Sequence, residues 1–90
     1  MYMRPKQSEI GGKNISGKHI RELRIKAGMQ QKELLVKLWQ NGVDLDASSL
    51  SKIEGQTRRV LDYELLAFAE ILQVDIRELL TGIKSPARKK

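Results

Sequence analysis

Cysteine is missing from this 90-residue chain, and so is any long apolar run. Without cysteine, neither a disulfide nor a thiolate metal site can form, which fits a cytoplasmic protein. No apolar stretch approaches the roughly 20 residues that span a bilayer. Residues 1–13 carry charges without an apolar block, unlike a signal peptide. The sequence therefore predicts no membrane partner, no metal site and no cofactor.

Catalytic motifs are missing as well. No Gly-x-Ser-x-Gly pattern surrounds Ser48, Ser49 or Ser51, and the chain has no glycine-rich phosphate loop. His19 is the single histidine, so we expect it to be a surface residue without a ligand partner. Because no nucleophile, acid–base pair or metal set can be assembled, we predict that the protein is not an enzyme.

Charge is distributed unevenly along the chain. Residues 1–59 hold 12 basic and six acidic residues, whereas residues 60–83 hold one basic and five acidic residues. The last seven residues add four more cations. A basic front and an acidic back suit a protein that turns one face toward a polyanion. The plainer alternative is a solvated surface with a basic tail.

Apolar residues recur at three- and four-residue steps, as Ile20, Leu23 and Ala27 do, and this spacing predicts helices. Asp46 has the chemistry of an N-cap, and Asp75 opens an Asp-x-x-Glu capping box. No alternating pattern of useful length indicates a strand. We predict an all-α fold with five helices, at about 17–27, 30–40, 47–54, 62–72 and 76–81.

This helical domain is predicted to cover residues 17–82. Residues 1–16 are polar, with Pro5 and the Gly11-Gly12 pair, and are predicted to form a flexible N-terminal arm. Residues 83–90 are predicted to form a basic C-terminal tail. One domain of this size can bury a single modest core.

The third helix has the dimensions of a DNA-reading element. Eight residues make a helix ~12 Å long, and the major groove of B-DNA is ~12 Å wide. Leu50 and Ile53 are its strongly apolar residues, and its other side is small and polar. The preceding helix is placed to rest its N-terminus on phosphate.

Four stretches in order resemble the Cro/cI (XRE-type) helix-turn-helix family of transcriptional regulators. The stretch 20–34, IRELRIKAGMQQKEL, is similar to the opening of these domains, and 49–55, SLSKIEG, is similar to their recognition helix. The stretches 65–75 and 78–80 resemble their last two helices. The resemblance implies a lambda-repressor-like DNA-binding domain with a sequence-specific repressor function. It also implies a homodimer on double-stranded DNA with half-sites ~34 Å apart.

The resemblance also implies roles for individual residues. Arg24 and Glu54 match a structural ion pair between the first and third helices. Phosphate-contacting positions are matched by Gln31, Thr57, Arg58 and Arg59. Base-reading positions are matched by Ala47, Ser48, Ser51 and Lys52.

The chain departs from the family pattern between Leu38 and Leu50, where it is about five residues longer. We therefore expect an extended loop between helices two and three, with Asp44 and Asp46 near the phosphate surface. Residues 47 and 48 are short, which leaves much of the base reading to Lys52.

The long loop and the short side chains keep a second function open. The same fold can act as a protein-interaction module, for example as an antitoxin that binds a toxin-like protein. Individual residues also have plainer alternatives, since Lys52 can be simply solvated. Trp39 is expected in the core or in a dimer contact rather than as a base-stacking platform.

Overall fold

A computed structural model of the protein describes residues 12–84, which form five α-helices and contain no strand. The helices are α1 (Gly17–Lys26), α2 (Gln31–Gln40), α3 (Ala47–Glu54), α4 (Asp62–Leu72) and α5 (Ile76–Thr81). The predicted all-α class is confirmed, and each predicted helix lies within one residue of an observed one. None of the helices within residues 12–84 is long and apolar enough to cross a lipid bilayer.

Acidic side chains fix where several helices begin. The Asp46 carboxylate accepts a hydrogen bond from the Ser49 amide (2.7 Å) at the start of α3. Asp75 accepts one from the Arg77 amide (2.8 Å) at the start of α5. Asp46 and Asp75 are thus both N-caps, as predicted. Asp75 accepts from the Arg77 amide rather than from that of Glu78, the position that the predicted capping box would use. These bonds satisfy amides that the helix itself leaves without partners.

One apolar core joins all five helices. Its fully buried members are Ile20 of α1, Leu34 and Leu38 of α2, Leu50 and Ile53 of α3, Phe68 of α4, and Leu79 of α5. α1 packs against α3, α4 and α5, while α2 packs against α3 and α4. The recognition-like helix α3 is therefore held from behind by α1 and α2, and its outer side is left uncovered.

Trp39 and Leu66 are among the large apolar residues that lie outside this core. Each is about half exposed (51% and 52%), so neither lies in the core. The core position expected for Trp39 is wrong, and its alternative, a dimer contact, stays a prediction. The Trp39 indole instead donates a hydrogen bond to the Leu45 carbonyl (2.7 Å) across the loop before α3. The core side of α4 is filled by Ala67, Phe68 and Ala69. Phe68 occupies the central position, and Leu66 points the other way.

The last five residues of the predicted N-terminal arm, 12–16, pack against the folded domain. Residues 12–16 lie against the polypeptide after α3, and Asn14 and Ser16 are buried. Residues 12–16 therefore belong to the folded unit together with the predicted 17–82. Residues 1–11 of the predicted arm and 85–90 of the predicted basic tail lie outside the described residues.

Candidate nucleic-acid interface

The outer face of α3 is fully open. Ala47, Ser48, Ser51 and Lys52 are all exposed, while Leu50 and Ile53 on the opposite side are completely buried. This division follows from helical spacing, which places residues 47, 48, 51 and 52 on one side of the rod. The structure thus brings the four predicted base-reading residues together on one surface. They are small or cationic, so they leave room for the edge of a base pair.

The extended loop between α2 and α3 does not cover this surface. Val43 and Leu45 turn into the core. Val43 N–H also donates to the Leu38 carbonyl (2.9 Å). With the Trp39 indole bound to Leu45, the loop is tied down at two points. The loop therefore lies against the core through Val43 and Leu45, and α3 stays accessible.

The loop leaves a negative charge at the beginning of α3. Asp46 is exposed, and the hydrogen bond from the Ser49 amide lowers the pKa of its carboxyl group, so the group is ionised at neutral pH. Lys52, about one and two-thirds turns further along the helix, acts in the same direction. A carboxylate here repels an approaching phosphate, which sets a limit on how closely this end of α3 can meet DNA.

A buried ionic network holds the other end of α3. Arg24 donates from Nε and Nη2 to the two carboxylate oxygens of Glu54 (2.8 and 3.0 Å). Its third nitrogen, Nη1, donates to the Met29 carbonyl (2.8 Å). Both side chains of the ion pair are nearly buried, so the pair ties α1 to the last residue of α3.

Gln31 belongs to the same network. Its side-chain amide donates to Glu54 (2.9 Å), and its carbonyl oxygen accepts from the Ser51 hydroxyl (3.3 Å). The side chain therefore bridges α2 and α3 within the protein. Its predicted phosphate contact stays a prediction. The contact would require either that the Gln31 backbone amide binds the phosphate or that the side chain breaks its bond to Glu54 or Ser51.

A basic cleft runs beside the C-terminal half of α3. It is lined by Lys13, Ser49, Lys52, Thr57, Arg58, Arg59 and Leu61. Lys13, Lys52 and Arg59 are exposed, so their ammonium and guanidinium groups are available to an anion from solution. We refer to this surface as the basic cleft. It contains three of the four predicted phosphate-contacting residues, Thr57, Arg58 and Arg59.

Arg58 is the member of the basic cleft whose charge is already neutralised. Its two terminal nitrogens donate to the two oxygens of Glu64 (2.9 and 3.1 Å), and Glu64 is only 2% exposed. This pairing raises the pKa of the Arg58 guanidinium. Glu64 also accepts from the Leu61 amide (2.9 Å) at the start of α4. Arg58 thus fixes the loop between α3 and α4, which weakens its case as a phosphate contact.

Thr57 and Arg59 complete the loop. The Thr57 hydroxyl donates to the Lys52 carbonyl (3.3 Å), and the Arg59 carbonyl accepts from Arg58 (2.8 Å). The guanidinium of Arg59 is exposed at the rim of the basic cleft. Of the adjacent arginines, Arg59 is therefore the better candidate for a phosphate.

Sequence reasoning did not identify Lys13, because it assigned this residue to the N-terminal arm. No local signal marks it, since it reaches the basic cleft only through contacts with residues more than 40 positions away. Within residues 12–84, no group of three or more histidine, aspartate or glutamate side chains could hold a metal ion. Comparison with protein-family models, curated proteins and solved structures found no match.

Proposed function

We propose that this protein binds double-stranded DNA sequence-specifically, as a homodimeric transcriptional repressor with a lambda-repressor-like, Cro/cI-type helix-turn-helix domain. The observation that carries the proposal is the exposed outer face of α3 beside the basic cleft. A helix of eight residues fits the major groove, and cations along its flank can meet the phosphates that border the groove.

The basic cleft and the outer face of α3 have different roles in the proposed complex. Phosphates bind cations in any DNA sequence, so the basic cleft supplies affinity and register. Base edges differ in their donors, acceptors and methyl groups, so Ala47, Ser48, Ser51 and Lys52 supply specificity. Lys52 is the long donor of the set and suits the O6 and N7 acceptors of guanine. Ala47 suits the methyl group of thymine.

The position of Lys52 leads to a direct test. Binding sites are first selected from a random-sequence DNA pool, and affinities for the selected and a scrambled site are then measured by fluorescence anisotropy. Lys52→Ala should reduce discrimination between the two sites by ~1–3 kcal/mol, because a base contact is lost. Lys26→Ala, an exposed lysine in the hollow between α1 and α5, is the matched control and should preserve discrimination.

The repressor proposal also requires strong preference for the selected site. A specific regulator binds its site at least ~10³-fold more tightly than competitor DNA, and its affinity falls as salt rises. Equal affinity of the wild-type protein for every sequence would contradict the proposal.

A second function, binding a protein partner as an antitoxin does, is favoured by one observation. Tyr63 and Leu66 lie three positions apart on α4, and each is more than half exposed. Apolar area of this kind is buried in contacts between proteins. Co-purification with a stable partner, together with no measurable DNA binding at low salt, would select this function over the first.

A further inference from the structure

Residues 12–16 form a short strap that is bound to the loop after α3. Lys13 N–H donates to the Gln56 carbonyl (2.7 Å), and the Gln56 side-chain amide donates back to the Asn14 carbonyl (3.0 Å). The two segments are more than 40 residues apart in sequence. The pair of bonds fixes the backbone of the strap on both sides of Lys13.

Asn14 is the anchor of the strap. It is 9% exposed, and its side-chain NH₂ group donates to the carbonyls of Ile53 (3.1 Å) and Arg58 (2.7 Å). Its side-chain oxygen accepts from the Gly17 amide (2.7 Å) at the start of α1. One buried amide thus links α1, the end of α3 and the loop that carries Arg58.

Two glycines allow the strap to lie this close. A Cβ atom on Gly12 would overlap the carbonyl of Gln56, and one on Gly17 would overlap the carbonyl of Ile53. In both cases the obstacle is backbone, which cannot move aside as a flexible side chain can. The strap is therefore built into the packing around the C-terminal end of α3.

The Lys13 side chain leaves this fixed backbone at the basic cleft. It is exposed and lines the cleft together with Lys52 and Arg59. The fourth cation, Arg58, is neutralised by buried Glu64. Lys13 is thus one of three cations of the basic cleft without an acidic partner among residues 12–84. Because its backbone is already ordered, binding an anion restricts little more than the side chain.

We propose that Lys13 contacts a DNA phosphate at this interface and that Asn14 is the positioning residue that places it there. The inference rests on the proposed function and adds to the site a segment that precedes the first helix. A phosphate contact carries no sequence information, so Lys13 should strengthen binding to all DNA alike.

The first test measures affinity as a function of salt for Lys13→Ala, with Lys26→Ala as the matched lysine control. Loss of one phosphate contact should lower the slope of log affinity against log salt by about 1. At about 0.15 M salt, affinity for the selected and scrambled sites should fall by the same factor, on the order of fivefold. A slope equal to that of Lys26→Ala would overturn the assignment.

The second test asks whether Asn14 acts through Lys13. Asn14→Ala should lower the salt slope in the wild-type background and leave it unchanged in the Lys13→Ala background. Thermal unfolding is measured for each variant, and binding is then compared at a temperature at which all of them are folded. A change in the salt slope then cannot be due to unfolding of a variant. An equal fall of the slope in both backgrounds would show that Asn14 acts on the interface as a whole.

A third readout follows Lys13 directly. Acetylation of its amine, read by mass spectrometry of proteolytic fragments, should slow when DNA is added, whereas acetylation of Lys26 should not. If the wild-type protein binds no DNA at about 50 mM salt, the proposed function and the Lys13 assignment both fail. If it binds and Lys13 remains equally reactive, only the assignment fails.

Discussion

At the scale of single residues, Glu54 is the side chain that connects the candidate interface to the other helices. Its carboxylate receives three hydrogen bonds, two from Arg24 of α1 and one from Gln31 of α2. It also ends α3, so one buried acid joins three helices at the base of the exposed surface. An ion pair in this environment depends on both partners, because either one alone is an uncompensated buried charge.

Replacing this acid with its neutral isostere should therefore strongly destabilise the folded protein. Glu54→Gln should lower the free energy of unfolding by ~3–5 kcal/mol, because the Arg24 guanidinium loses its counter-charge in a buried place. Urea unfolding followed by circular dichroism measures the change. Arg77→Ala, which removes the exposed ion pair with Asp75, is the matched control and should leave the midpoint close to wild type. A Glu54→Gln midpoint as high as that of the control would contradict this account.

Residue-level prediction succeeded where a motif covered the residue. Arg24 and Glu54 were named as a pair from the family pattern, and the structure places them 2.8 Å apart. Asn14 and Glu64 were not named, because their bonds go to backbone carbonyls or to an arginine that the same pattern assigned to DNA. The bonds from Asn14 to the Ile53 and Arg58 carbonyls depend on where the chain returns in space, and no local spacing encodes them. Glu64 lies three residues after Leu61, which is the local spacing of a capping box and could have identified it.

At the scale of elements, helix bounds were the most predictable feature. Apolar spacing located each helix, and capping acids fixed the beginnings of α3 and α5. What the spacing could not settle is which apolar residue faces inward when several are adjacent. In α4, four of the seven residues from Leu65 to Ile71 are strongly apolar, and two of the other three are the small Ala67 and Ala69. Packing against the other helices, rather than periodicity, turned Leu66 outward.

The N-cap of α3 leads to a prediction about DNA affinity. Asp46→Asn keeps a side-chain oxygen for the Ser49 amide and removes a negative charge from the groove-facing end of the helix. We expect a slightly lower unfolding midpoint, because the folded state favours the charged carboxylate at the start of α3. DNA affinity should rise about two- to fivefold at low salt, because repulsion of phosphate is relieved. Glu78→Gln on α5, which packs against α1 and α4, is the charge-matched control and should change affinity little. Weaker binding by Asp46→Asn would place Asp46 in a direct contact instead.

At the scale of the whole molecule, basic and acidic residues lie on different parts of the fold. The basic cleft lies beside α3, while residues 60–83 carry a net negative charge and form α4 and α5. A single core joins the two sides, so α3 is presented by a rigid body. Composition predicted the polarity, but only the folded chain shows that the strap brings Lys13 to the basic side.

A dimeric repressor imposes a geometric requirement on its operator. In the proposed dimer, two copies related by a two-fold axis would present their α3 helices to one face of the duplex, about one helical turn apart. Inserting about five base pairs between the half-sites of the selected operator should therefore abolish cooperative binding, and inserting about ten should restore part of it. Gel-shift titration counts the protomers bound to each DNA. Identical binding to all three spacings would show that the copies bind independently.

The outer side of α3 has one more consequence, for how such a protein changes over generations. The side chains of Ala47 and Ser48 make no hydrogen bond to any residue between 12 and 84, and neither contributes to the apolar core. Substitutions at these two positions should leave folding unchanged and, under the proposed function, alter which bases are preferred. A DNA-binding protein built in this way could acquire new target sites through a few substitutions of exposed residues, without any change to its core.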